Sequence, residues 1–347
     1  MTVSATTSSS SDLTSESVRS LYDQLATRLK DISHLEGIAR LLGWDQLVMM
    51  PEKAEDARSK QASLLAGISH DMETSPILGA LLEELKHRQL TEDLSCELNP
   101  YELANIRVAS KSYKEQTLIP TELVKAISTA TTKSVSVWED ARETSDFSKF
   151  APFLEEQIRL VRQSVAYKMK GGICEEAVRI NKKARASLGL SEDDECFKGY
   201  YQLLLDENEP GFKDSRLEVL FSDLKQHLIP LIARIKAKNF QHDNGFLKGD
   251  FDVEKQAELS HLMCKKIGFD TDAGRLDVST HPFTGGSHPT DIRMTTRYAI
   301  DNFQEGITGT IHETGHALYE QGRNKEYVDT PVSQPLSLGV HESQSLL

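Results

Sequence analysis

Apolar residues recur at intervals of three and four along most of this chain. Leu217, Leu220, Phe221, Leu224 and Leu228 fall at i, i+3, i+4, i+7 and i+11, which places them on one stripe of a helix with 3.6 residues per turn. Val18, Leu21, Leu25, Leu29 and Ile32 form a second stripe, and Leu78, Leu81, Leu82 and Leu85 a third, shortly after Pro76. Each stripe needs a partner surface to cover it. Strict alternation of apolar and polar residues, the mark of a half-buried strand, is almost absent. The expected fold class is therefore mainly α, a multi-helix fold. Further helix starts are expected near Thr121 after Pro120, near Pro152, and near Asp252, whose side chain is placed to cap the amides of Val253 to Gln256.

Turn residues punctuate this pattern. Pro210-Gly211 precedes the Leu217 stripe, while Gly171-Gly172 and the stretch from Asn239 to Gly249 read as surface loops, the first a candidate boundary between subdomains. From Asp277 to Thr290 the run His281-Pro282-Phe283-Thr284-Gly285-Gly286 joins a helix breaker to two glycines, so a shaped loop is expected there. No internal repeat is visible. Residues 1–14 are rich in Ser and Thr and carry neither the apolar core of a secretory signal nor the arginines of a transit peptide. They are read as a disordered tail ahead of one helical domain over 15–347.

Composition narrows the partners. The chain has 347 residues and a formal net charge of -13, which repels phosphate backbones and anionic lipid and argues against nucleic acid. No apolar run approaches the roughly 18 residues of a membrane span, so no membrane partner is expected. Cys96, Cys174, Cys196 and Cys264 form no Cys-x-x-Cys pair and are read as reduced thiols of a cytoplasmic protein.

The chemistry is concentrated in His312-Glu313-Thr314-Gly315-His316. Histidines four apart on a helix project from the same face and can grip one tetrahedral cation. Glu313 then lies beside the metal, where its carboxylate can take a proton from water as a general base. Ile311, Ala317 and Leu318 supply an apolar side for the helix and Gly322 a stop, while Gly315 leaves room for either a substrate or a neighbouring helix. Catalytic zinc usually has three protein ligands. The third is offered by His341-Glu342-Ser343-Gln344-Ser345, with Glu342 lying 26 residues beyond His316; spacing alone does not choose between His341 and Glu342. A His-Glu-x-x-His string also arises by chance, but a credible helix followed by a second His-Glu pair favours a metal site. His34, His70, His87, His227, His242 and His261 are read as surface or satisfied core residues.

Several motifs together resemble the carboxypeptidase Taq family of zinc metallopeptidases: His281-Pro282-Phe283, then Asp291-Ile292-Arg293-Met294-Thr295, then His312 to His316, then His341 to Ser345, in the family's order. Gly43-Trp44-Asp45, Met50-Pro51 and the stretch from Leu204 to Gly211 look like family segments as well, so the likeness spans nearly the whole chain after its tail. The resemblance implies a helical fold with a long groove, metal ligands His312, His316 and Glu342, and Glu313 as general base. It also implies zinc or cobalt as the metal, release of single residues from peptide C-termini with broad specificity, and a homodimer. Such an enzyme must hold a free terminal carboxylate. Arg293 is a candidate for that task because its planar fork can bind a carboxylate through two hydrogen bonds, with structural pairing to Asp291 as the alternative. His281 is a candidate donor to a substrate or transition-state oxygen, with shaping of the loop before Pro282 as the alternative.

Members of the family continue well beyond the His-Glu-Ser-Gln motif, whereas this chain stops five residues after Glu342. The expectation is a polypeptide short of C-terminal helices, with a frayed third ligand, weakened zinc binding and little or no peptidase activity. The competing readings are a non-catalytic fragment or partner of the full enzyme, and a zinc aminopeptidase or endopeptidase sharing the two-histidine helix.

Overall fold

A computed structural model describes residues 13–170, 195–239, 245–247 and 249–346. The chain divides into two compact units: Met1–Lys168 with Gly286–Asp291 and Gly322–Gln334, and Met169–Gly285 with Ile292–Gln321 and Pro335–Leu347. The first unit is built from α1 (Val18–Val48), α2 (Glu55–Glu73), α3 (Pro76–Thr91), α4 (Pro100–Gln116), α5 (Thr121–Glu143) and most of α6 (Phe147–Lys170).

Local chemistry sets these helix starts. Ser17 accepts from the Ser20 amide at the head of α1 and Ser75 from the Leu78 amide at the head of α3. Asn99 and Glu102 form a reciprocal capping box on α4, satisfying amides that have no partner within the helix. The helix expected near Pro152 begins earlier, at Phe147, because the Asp146 side chain accepts from the Ser148 amide and starts the helix before proline is reached.

Two of the stripes read from the sequence meet here. Leu21, Leu25, Leu29 and Ile32 of α1 pack with Leu78, Leu81, Leu82 and Leu85 of α3 and with Ile106 and Ala109 of α4; Leu13 joins the same core. Each such leucine or isoleucine contributes about 1.5–3 kcal/mol when fully buried. Asn105 is buried among them and satisfied from both sides: its amide donates to the Tyr22 hydroxyl at 3.0 Å and its carbonyl accepts from the Val332 amide at 2.9 Å. His70 is also buried, with Nε2 2.8 Å from the Ile119 carbonyl, a structural role as expected.

The second unit contains α7 (Glu195–Asn208), α8 (Asp214–Lys238), α9 (Val253–Ile267), α10 (Phe303–Gln321) and α11 (Leu338–Gln344). Asp252 caps α9 by accepting from the Glu254 and Lys255 amides. Between α9 and α10 run three short strands, β1 (Gly274–Val278), β2 (Thr284–His288) and β3 (Asp291–Thr296), in the order β1-β3-β2. β1 and β3 are parallel, in register from Gly274 opposite Ile292 to Val278 opposite Thr296. Where the sequence suggested a shaped loop over 277–290, the chain therefore forms parts of a sheet. Strands of five or six residues, one of them Thr-Gly-Gly-Ser-His, are too short and too glycine-rich to print an alternating pattern.

Ile292 and Met294 of β3 form a small core with Cys264 of α9, Phe269 and Ala317 of α10. Asp270 and Gln321 exchange two hydrogen bonds, of 3.0 and 2.9 Å, that tie the end of α10 to the turn after α9. The third stripe behaves differently from the other two. Leu220, Phe221, Leu224 and Leu228 of α8 are 40–51% exposed, so the helix forms as read but its apolar side is not covered by the described residues.

Among the described residues no helix is long and apolar enough to cross a membrane. Cys96 is a free exposed thiol and Cys264 a free buried one. The tail over 1–12, Gly171-Gly172 and Cys174, as well as the side chain of Cys196, lie outside the described residues.

Candidate metal centre

α10 carries its functional residues on a helix whose other face is filled with small groups. Gly306, Thr310, Thr314 and Ala317 are buried. Thr310 donates to the Gly306 carbonyl and Thr314 to the Thr310 carbonyl, both at 2.7 Å, so the buried hydroxyls are satisfied within the helix. His312, His316 and Glu320 follow one another at i, i+4 and i+8 and form a single row.

α11 brings His341 and Glu342 to that row. Ser337 caps it by accepting from the Val340 amide, and the Glu209 carboxylate accepts from the Gly339 amide in its first turn. Gly315 is what lets α11 come so close. A β-carbon there would collide with the backbone of Gln344 and Ser345, so the space left by this glycine is taken by a neighbouring helix. Ser345 donates to the Glu342 backbone carbonyl at 2.6 Å and stands 3.2 Å from its Oε1.

His312, His316 and Glu342 form a group whose ligand atoms all lie within 4.8 Å of one another. Glu342 Oε1 is 3.4 Å from His312 Nε2, and Glu342 Oε2 is 3.4 Å from His316 Nε2. Tetrahedral ligands about 2.0–2.1 Å from a zinc ion stand roughly 3.3 Å apart, so the donor set and its two carboxylate–imidazole distances suit a divalent metal. His316 is largely buried while Glu342 is more than half exposed, which leaves one side of the site accessible. Burial disfavours the charged imidazole of His316 and holds its pKa below the usual histidine value, with His341 acting in the same direction. A neutral imidazole is the form that can ligate a metal.

Glu313 is 5% exposed, and the Thr284 hydroxyl, on β2, lies 2.6 Å from its Oε2 and 3.0 Å from its backbone carbonyl. Thr284 can donate its one proton to the carboxylate and so fix its direction. His341 is not among the three clustered residues. Its Nδ1 lies 2.7 Å from His316 Nδ1 and its Nε2 2.9 Å from Glu320 Oε1. His281 is exposed in the loop before β2, with its carbonyl accepting from Ser279. Arg293 is half-buried on β3 in register with Arg275, while Asp291 accepts from the Ser287 hydroxyl.

Sequence reasoning missed Thr284, Glu320 and Glu209 as supporting residues. Glu320 carried a signal, since it continues the four-residue spacing of the two histidines. Thr284 and Glu209 lie too far from α10 and α11 in the chain for any periodicity to connect them.

The chain matches the family model described as carboxypeptidase Taq (M32) metallopeptidase over residues 24–173 and 172–347. It is 33% identical over 324 residues to thermostable carboxypeptidase 1 of Thermus thermophilus, covering 93% of this chain and 59% of that protein. It is also 33% identical over 318 residues to carboxypeptidase 1 of Bacillus subtilis, covering 92% and 57% respectively. Among solved structures, BsuCP superposes with a TM-score of 0.81 at 32% identity, and Trypanosoma cruzi metallocarboxypeptidase 1 with 0.72 at 32%. Each structural match covers 94% of this chain, and 59% and 60% of the two solved chains respectively. The chain thus spans somewhat less than two thirds of the length of these relatives.

Proposed function

The chain belongs to the carboxypeptidase Taq (M32) metallopeptidase family, and on that premise we propose that it is a zinc-dependent metallocarboxypeptidase acting on peptides with a free C-terminus. One observation carries the reading: two imidazoles and a carboxylate converge from α10 and α11, with the buried Glu313 carboxylate next to the first of them in sequence.

In this proposal His312, His316 and Glu342 hold the metal, zinc first and cobalt as a substitute. A divalent ion held there supplies Lewis acidity, polarising a peptide carbonyl and making water acidic enough to lose a proton near neutral pH. Glu313 takes that proton as the water oxygen bonds to the carbonyl carbon, then delivers it to the departing amine as the C–N bond breaks. The Thr284 hydroxyl holds the Glu313 carboxylate in direction during both transfers. Arg293 is proposed to receive the terminal carboxylate, since its two parallel N–H groups match a carboxylate and a point charge does not. His281 is proposed to donate to the oxygen on which negative charge develops. Broad side-chain specificity, a cytoplasmic location and a homodimer complete the proposal; light scattering giving one chain's mass would remove the last.

The test measures bound metal per chain together with release of C-terminal amino acids from an unblocked peptide and its amidated twin. Metal near one per chain, release from the unblocked peptide alone, and loss of release in Glu313→Gln are the results expected of the proposed enzyme; little metal and little release, the outcome expected of a frayed third ligand, would reject it. Efficient cleavage of the amidated peptide would assign a different peptidase. Metal without turnover would leave a metal-binding protein that is not an enzyme.

A further inference from the structure

His341 and Glu342 are adjacent on α11, yet they meet the α10 row at different places. Glu342 faces the Nε2 atoms of His312 and His316, whereas His341 reaches Nδ1 of His316 and, with its other nitrogen, Glu320. His316 is therefore contacted at both ring nitrogens by neighbouring residues of one short helix.

We propose that Glu320 and His341 form a hydrogen-bonded relay that fixes the tautomer and orientation of the ligand His316. The inference rests on the metal-centre reading above and adds two residues to it. The polarity admits one consistent assignment. For His316 Nε2 to ligate, that atom must carry a lone pair, so the ring proton sits on Nδ1. That proton is donated across the 2.7 Å contact, so His341 Nδ1 is the acceptor. The His341 proton then resides on Nε2 and is donated to the Glu320 carboxylate at 2.9 Å. Every donor meets an acceptor, and the negative end of the chain lies farthest from the ligating nitrogen. Such a carboxylate-to-histidine linkage raises the electron-donating strength of the ligand and prevents the ring from flipping. Here a second imidazole lengthens the linkage.

The surroundings suit this role. The side chains of His341, Glu320 and His316 are 17%, 14% and 12% exposed, so water competes little for the bonds. The Tyr319 ring lies 4.8 Å from the His341 ring, centroid to centroid, and limits its movement. His341 is thus a positioning residue, and the choice between His341 and Glu342 that spacing left open becomes a division of labour between them.

Two measurements test this. The first is zinc affinity by competition with a chromophoric chelator, for the wild type, His341→Ala, His341→Gln and Glu320→Ala, with the melting temperatures of the metal-free proteins as a folding control. Loss of a supporting partner of this kind costs about 10–100-fold in metal affinity. His341→Ala and Glu320→Ala are expected in that range. His341→Gln, which can still accept with its carbonyl and donate with its amide, is expected to recover most of the loss. The second is assignment of the ring tautomers in the metal-free wild type by long-range proton–nitrogen NMR at a pH where the rings are neutral. His316 is expected to be protonated on Nδ1 and His341 on Nε2. Unchanged zinc affinity in a folded His341→Ala, or a His316 protonated on Nε2, overturns the relay while leaving the metal site in place. A wild type that binds no zinc removes the metal-centre reading and the relay's purpose together. If His341→Ala does not fold, the tautomers of the wild type still decide.

Discussion

A β-carbon at Gly315 would run into the carbonyl oxygen of Gln344. The two histidines and Glu342 therefore converge because α10 has no side chain at the point where α11 crosses it. Gly315→Ala must push the end of α11 away, and Glu342 moves with it. The expected result is a loss of zinc affinity on the order of tenfold or more, as for other changes that misplace a ligand. Gly309→Ala is the control. The nearest atoms a β-carbon there meets are Pro282 Cγ and Thr296 Oγ1 at 3.6 Å, an ordinary contact, and alanine gains up to about 1 kcal/mol of helix propensity. Equal zinc affinity in wild type and Gly315→Ala would show that the close crossing is dispensable.

Metal binding should be visible as stability. An ion that binds only the folded state at a hundred times its Kd adds about 2.7 kcal/mol. Thermal melts followed by circular dichroism are expected to shift upward with zinc and fall back with chelator. Glu342→Ala is expected to lose most of that shift. A shift of the same size in the variant would place the ion elsewhere.

In the proposed mechanism Glu313 and Thr284 are separable from the metal ligands. Glu313→Gln is expected to lower kcat by roughly 10²–10⁴-fold, the range for a general base, at unchanged metal content. Thr284→Val removes the donor that lies 2.6 Å from the carboxylate and is expected to lower kcat with little change in KM, while Thr284→Ser restores it. A Thr284→Val enzyme with normal kcat would reduce the hydroxyl to a packing group.

Two carboxylates of the first unit give opposite pH signatures. The Arg19 guanidinium holds Glu102 below its ordinary value of 4.5, so its contribution is present above that pH and is lost as the pH falls through the depressed value. Burial, opposed by Arg40 and Arg323 and assisted by Glu73, pushes Glu36 above 4.5. Folding is then opposed wherever Glu36 must ionise, so the cost appears as the pH rises above its unfolded value. Melts should find Glu36→Gln stabilised at pH 7 and nearly unchanged at pH 4, and Glu102→Gln destabilised at pH 7. Identical shifts at both pH values would contradict the assignment.

Much of the site could be read from the sequence because its first part is local. A four-residue spacing places His312 and His316 side by side whatever surrounds the helix, and two of the three apolar stripes pack as they were read. What periodicity could not supply was which of His341 and Glu342 faces the Nε2 atoms of His312 and His316, because adjacent residues differ by 100° around a helix and the answer depends on how α11 crosses Gly315. Nor could it supply Thr284, whose strand was hidden in a glycine-rich stretch, or Glu209, which meets the first turn of α11 from 130 residues away.

The open stripe of α8 has a practical consequence for how the melts are followed. Leu220, Phe221, Leu224, Ile229, Ile232 and Ile235 present apolar surface in the folded protein, and dyes that fluoresce on apolar surface respond to it as they do to a partly unfolded chain. A bright signal at room temperature would then describe the native protein rather than a molten one. Dye-based melting curves would start from a high baseline and understate the transition, whereas ellipticity, which senses the backbone, would not.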